Sequence, residues 1–313
     1  MLRLVLVKIY AKRKYPALDF YAEPNEGALK QKNAALLHQV VGIIVNNTDT
    51  TVLTICLGAK SLLEVSVYGI YMMVVNAVNQ LMTSFSNGLT AGFGEVIAKN
   101  EEETLKKSYS SYEYMYFVIM FIVIACMGVL ILPFVGVYTI NLTDVQYVRP
   151  VLGILFTLIV FMQNVRIPGL TIICAAGHYK ETRYQAILEA VINITVSLGL
   201  VWKFGMAGVL LGTVCSYGYR SFEIVFYTSR HLVKGCAKKS MFRILRNVFT
   251  VAILCTVGTY VIPQEITSFT TWFLYAIGMG LTSVFLVVVI NYVVEPDEFM
   301  QLRHRVNDII KKE

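Results

Sequence analysis

Apolar runs of about 20 residues, separated by short polar connections, recur along almost the whole of this sequence. Hydrocarbon offers no hydrogen bonds to a peptide backbone, so a run of that length is stable in a bilayer only when its backbone bonds to itself as a helix. Eight such runs are present, over residues 34–57, 62–89, 115–137, 148–174, 184–201, 206–226, 244–262 and 272–294. The seventh is the least apolar, because Arg246 and Asn247 shorten it. The fourth contains Pro168-Gly169, which predicts a kink or break near one of its ends. The composition agrees: 15% of the 313 residues are charged, against about 25% in soluble domains, and the mean hydropathy is +0.62. The expected fold is an all-α integral membrane protein with about eight transmembrane helices.

Basic residues orient the helices, because Lys and Arg accumulate in cytoplasmic connections. With the amino terminus inside, the cytoplasmic segments hold 22 of the 27 basic residues and the outer loops three, Lys60, Arg149 and Lys203. Arg166 and Arg220 lie within spans. One helix more or fewer would invert the later loops and destroy this bias. The net charge of +7 is thus a topology signal and not a nucleic-acid footprint. Both termini are expected in the cytoplasm. The segments are 1–33, a cytoplasmic stretch; 34–227, six helices; 228–247, a basic linker; 248–294, two further helices; and 295–313, a tail. Two connections are more than turns. Asn100 followed by Glu101, Glu102 and Glu103 reads as a helix cap with acids in the first turn. Residues 231–246 are basic and partly amphipathic, and read as lying along the anionic inner leaflet or as a plain linker.

No secretory signal is visible, since the apolar start, residues 1–7, makes only two helical turns. The six cysteines form no CxxC pair and read as inert thiols within helices. The four histidines are isolated, and no phosphate loop, zinc motif or Ser/His/Asp set appears. No enzyme, cofactor or metal is expected.

Polar side chains within spans are costly and so mark candidate sites. The first span carries Asn46, Asn47, Thr48, Asp49, Thr50 and Thr51 in succession. Six polar residues in a row cover more than one helix face, which predicts a water-filled cavity or local unwinding. Asp49 is the candidate for binding a coupling ion or proton. In the second span Asn76, Asn79 or Gln80, and Asn87 form one stripe, read equally as cavity lining and as hydrogen-bond glue between helices. Arg166 lies beside Gln163 and Asn164 in the fourth span, and Glu189 lies in the fifth, one turn before Asn193. Arg220 and Glu223 are spaced to pair on one face of the sixth. Glu189 and Glu223 read as structural partners of the two arginines. Gly208, Gly212 and Ser216, four apart, form a small-residue ridge for close helix packing.

These residues also carry a resemblance. The run from Ala34 to Asp49, the stretch from Tyr68 to Tyr71 through Asn76–Gln80, and the acids Glu101–Glu103 resemble the second lobe of bacterial polysaccharide (O-antigen-type, Wzx-like) flippases. So do Arg166-Ile167-Pro168, Ala175-Ala176-Gly177, Arg183-Tyr184, Glu189 to Asn193, and Gly205 to Thr213. The resemblance covers residue 8 to the end. It implies membership of the multidrug/oligosaccharidyl-lipid/polysaccharide exporter superfamily and a MATE-like C-terminal lobe followed by two extra helices. Such proteins have two six-helix lobes around a cavity and move a polyprenyl-pyrophosphate-linked oligosaccharide to the outer leaflet. The first lobe is not found in this sequence, which reads as a truncated or split frame whose residues 1–32 correspond to the region joining the lobes. The partners implied are membrane lipids, the lipid-linked oligosaccharide and a separate first-lobe chain. On this reading Arg166 and Arg220 receive the diphosphate, and Asn46, Asn47, Asn76 and Asn79 the glycan. Two alternatives stand beside it: a MATE-type drug/cation antiporter, whose cavity would be dominated by acids, and a non-transport scaffold, in which Asp49 would be dry, paired and dispensable.

Overall fold

The computed structural model describes residues 2–15, 31–86, 89–263 and 266–300, with side chains from residue 5 onward. Asn87 of the predicted polar stripe, residues 16–30 and the tail from residue 301, with His304, lie outside the described residues.

Each apolar run is a helix, as the backbone argument requires. In chain order the helices are α1 (Leu2–Lys14), α2 (Lys32–Cys56), α3 (Ser61–Ser86), α4 (Leu89–Ala98), α5 (Glu102–Tyr138), α6 (Pro150–Val165), α7 (Ile167–Ala175), α8 (Arg183–Phe204), α9 (Met206–His231), α10 (Ala237–Val261) and α11 (Phe269–Val294). No strand occurs among the described residues. Six stretches are long and apolar enough to cross a membrane: 58–98, α5, 150–175, α8, α10 and α11. The protein is an all-α, multi-pass membrane protein. Helices α2 and α9 have 25 and 26 residues, as long as the others, but carry more polar side chains.

Several boundaries differ from the sequence reading for identifiable reasons. The six-residue polar run does not unwind α2. Thr48, Thr51 and Thr54 donate their hydroxyls to carbonyls four residues back, at 2.7–2.8 Å, and Asn47 donates its amide to the Ile43 carbonyl. Those bonds satisfy the side chains within the helix. Asn100 is not a cap but a left-handed turn (φ 56°) after α4, and Glu101 takes the N-cap position of α5. Helix α5, 37 residues, is roughly 55 Å long by its rise per residue and so outreaches a bilayer core. The fourth run does break: α6 stops at Val165 and α7 restarts at Ile167 with Pro168 in its first turn, leaving Arg166 at the junction. Residues 237–246 are not a separate linker. They belong to α10, and Arg243 and Arg246 turn inward.

Helix α8 lies close against α9 because Gly208 and Gly212 have no Cβ. A Cβ at Gly208 would overlap the Leu200 backbone, and one at Gly212 would overlap Ser197. Helix α2 rests on this pair and on α3, while α5 runs through the middle and contacts α3, α4, α6, α7, α10 and α11. Trp272 of α11 donates to the Leu130 carbonyl of α5 at 3.2 Å.

A second polar core, which the sequence reading missed, fastens α10 and α11 to α5. Arg243 is 0% exposed and contacts Glu113 (3.0 Å), Glu295 (3.0 Å) and Glu298 (3.4 Å). Arg246 adds Glu295 at 3.0 Å and the Asn291 amide oxygen at 2.5 Å. Lys239 pairs with Glu298 at 2.6 Å. Burial pushes the Glu298 carboxyl up, but Lys239, Ser110 and Arg243 outweigh it and hold the group below its usual range.

Candidate functional site

A cavity of roughly 410 Å³ lies between α2, α6, α7, α8 and α9. Its charged residues meet there because of the α6–α7 break, which puts Arg166 at a bend facing α8 and α9. Arg166 Nη1 pairs with Glu189 Oε1. The other oxygen of Glu189 lies 3.5 Å from Arg220 Nε, and Arg220 Nη1 lies 2.5 Å from Glu223. Two arginines are therefore balanced by two glutamates, as burial of charge requires. The Arg166 guanidinium stacks 4.5 Å from the Tyr217 ring centroid, and Tyr217 donates its hydroxyl to Asn46 at 3.2 Å. The Arg166 Nε is buried without a hydrogen-bond partner among the described residues.

The rest of the wall is mixed. Gln39, Gln163, His38 and Thr182 contribute polar groups, and Val41, Leu170 and Ile173 apolar ones. His38 Nε2 sits 2.9 Å from the Tyr179 carbonyl oxygen and 3.3 Å from the Thr182 hydroxyl. The exposed face of α2 bears Gln39, Asn46, Asn47, Thr51 and Thr54, interleaved with exposed Leu36, Val40 and Ile43. Neighbouring α3 also exposes Asn76, Gln80, Thr83 and Ser84.

The structure thus sorts the candidate residues. Arg166, Arg220 and Asn46 line one cavity, with Glu189 between the arginines and Glu223 behind Arg220. Asn47 does not line it: its side chain is exposed and turned back on its own helix. Asn76 is exposed on α3, away from the cavity wall. Asn79 is glue: it donates to Gln163 at 2.9 Å and accepts from Asn164 at 2.9 Å, while Asn164 accepts from Tyr116. The residues that the sequence reading left out of the site are Gln39, His38 and Tyr217. None carries a charge that would single it out within a span.

Asp49 stands apart from the cavity, 4% exposed. Thr213 donates to its Oδ1 at 2.7 Å and Tyr68 to its Oδ2 at 3.2 Å. Asn193 donates to Thr213 at 3.0 Å and to Ser216 at 3.4 Å, and its own Oδ1 has no partner among the described residues. No basic side chain pairs with Asp49 among the described residues. One carboxylate and several neutral oxygens could take a proton or a small monovalent cation. They carry too little charge for a divalent ion. Among the described residues no group of three His, Cys, Asp or Glu could hold a metal.

No protein-family model matches this chain, and no curated protein matches it.

Proposed function

We propose that this chain forms one lobe of a bacterial inner-membrane flippase that carries a polyprenyl-diphosphate-linked oligosaccharide to the outer leaflet. The observation that carries this reading is the pair Arg166 and Arg220 inside one cavity within the membrane-spanning bundle, where a guanidinium fork suits a diphosphate. The exposed amides of Asn46, Asn76 and Gln80 add to it, since they are not bonded back to their own helices as the hydroxyls of Thr51, Thr54, Thr83 and Ser84 are. Such groups are costly against lipid, so this face turns toward a water-filled cleft and a second lobe. On this reading α2 and α9 also span the bilayer, giving eight crossings with both termini cytoplasmic, and the glycan passes Asn46, Asn47 and Asn76 on the open face.

Asp49 favours a second reading, a MATE-type drug/cation antiporter, because a buried carboxylate without a basic partner suits a cation. The scaffold reading also expects a dry, paired Asp49. One experiment separates the three. The chain is reconstituted with a complementary six-helix lobe in liposomes holding a fluorescent polyprenyl-diphosphate oligosaccharide in the inner leaflet. The label is expected to reach an outer-leaflet quencher, and Arg166→Ala is expected to slow this by at least about tenfold, the scale of one lost charge-assisted contact. Movement of organic cations without glycolipid transfer would select the antiporter, and movement of neither would select the scaffold.

A further inference from the structure

The charges of the cavity cancel, so as it stands it offers an incoming anion no net attraction. Arg166 and Arg220 face Glu189 and Glu223. Both guanidinium groups are largely removed from solvent, with side chains 14% and 3% exposed. An anion entering here must find donors already taken by a carboxylate. The three contacts are unequal in what they can give up. Arg220 keeps Glu223 at 2.5 Å if Glu189 leaves, whereas Arg166 has no other carboxylate among the described residues. Arg166 also sits at the junction of two helices rather than within one, stacked on Tyr217, with its Nε unused.

We propose that Glu189 is an internal stand-in for the anionic headgroup. It occupies Arg166 when the cavity is empty, is displaced toward Arg220 when a diphosphate arrives, and returns to expel the headgroup on the far side. This inference rests on the flippase reading above and adds its release step: without a returning carboxylate, a diphosphate on a buried arginine would leave slowly. Glu189 is a positioning residue in this scheme, because it acts on the ligand through Arg166.

The mechanism predicts that affinity and turnover move in opposite directions. Inorganic pyrophosphate is titrated calorimetrically into the purified 313-residue chain in detergent, and glycolipid transfer is followed in the reconstituted system. Glu189→Gln is expected to bind pyrophosphate about tenfold tighter than wild type, as loss of one competing charge-assisted contact implies. Its transfer should show a lowered KM and a lowered kcat. Adding Arg166→Ala should abolish the gain in affinity. Glu189→Asp keeps the charge but shortens the reach between the two arginines, so its affinity should fall between those of wild type and Gln. This variant carries the test if Gln does not assemble. Binding by wild type with no tightening in Gln or Asp would overturn the exchange and leave the flippase reading intact. Absence of pyrophosphate binding in wild type and in every folded variant would overturn both.

Discussion

At the scale of single residues, the contrast between Asp49 and Arg166 shows how a buried charge can be held in two ways. Arg166 is matched by an opposite charge, and breaking such a pair leaves an uncompensated ion at a cost of about 3–5 kcal/mol. Asp49 has only hydroxyl donors, so its charge is stabilised less and is free to be cancelled by a proton or a cation. Asp49→Asn keeps the size of the side chain and can keep both hydroxyl contacts. It is therefore expected to assemble at wild-type abundance and to remove the dependence of transport on an imposed ion or proton gradient. The measurement is transfer rate with and without the gradient. If the gradient dependence persists at normal abundance, Asp49 is helix glue. Asp49 and the two arginines were legible in the sequence because a charge within an apolar run stands out. Which amides face the cavity was not, since Asn46, Asn47, Asn76 and Asn79 differ only in helix rotation and, for Asn46 and Asn79, in partners 84–171 residues distant.

At the scale of elements, length and polarity fixed most of what could be read. An apolar run long enough to span has one stable backbone state in lipid, so the eight runs agree with α2, α3, α5, α6–α7, α8, α9, α10 and α11 to within a few residues at most ends. The amino-terminal ends of α5 and α10 were misplaced, because helix there continues past the apolar run. Arg243 and Arg246 looked like leaflet-facing charges from their neighbours alone. Their carboxylate partners, Glu113 and Glu295, lie 130 and 49–52 positions away. This cluster fastens α10 and α11 to α5, and Arg243 is its centre. Arg243→Ala would leave Glu113 without a cation and Glu295 with Arg246 alone, a loss of about 3–5 kcal/mol for a buried pair broken on one side. Lower abundance is expected, with faster proteolysis at the α9–α10 turn around Gly235. Adding Glu113→Gln should recover part of the loss. Wild-type resistance of the Arg243 single variant would show that apolar contacts alone hold the two helices.

At the scale of the whole molecule, the connections between spans gather into two groups. Ion pairs tie the connections together at each end. At one end Lys234 meets Glu102 and Lys239 meets Glu298. At the other Arg149 forks onto Glu64 at 2.8 and 3.0 Å, with Tyr71 donating to the backbone carbonyls of Tyr147 and Arg149. The first end carries the exposed residues Lys99, Lys106, Lys107, Lys234, Lys238 and Lys239, while Lys60, Arg149 and Lys203 belong to the second. Moving Arg243 and Arg246 from a loop into the buried core removes two charges from the richer end and leaves the asymmetry standing. The positive-inside rule then predicts that the richer end faces the cytoplasm. The test uses single cysteines in a background with the six native ones replaced. Cysteines at Lys60 and Lys203 are expected to react with a membrane-impermeant thiol reagent in intact cells. Cysteines at Lys106 and Lys238 should react only after the membrane is opened. All four positions are exposed, so burial does not account for a silent site. Labelling of the second pair from outside would reverse the molecule in the membrane. The Arg166 cavity would then lie toward the outer leaflet, where a lipid-linked glycan made in the cytoplasm could not load, and the proposed direction of transport would fall with the topology.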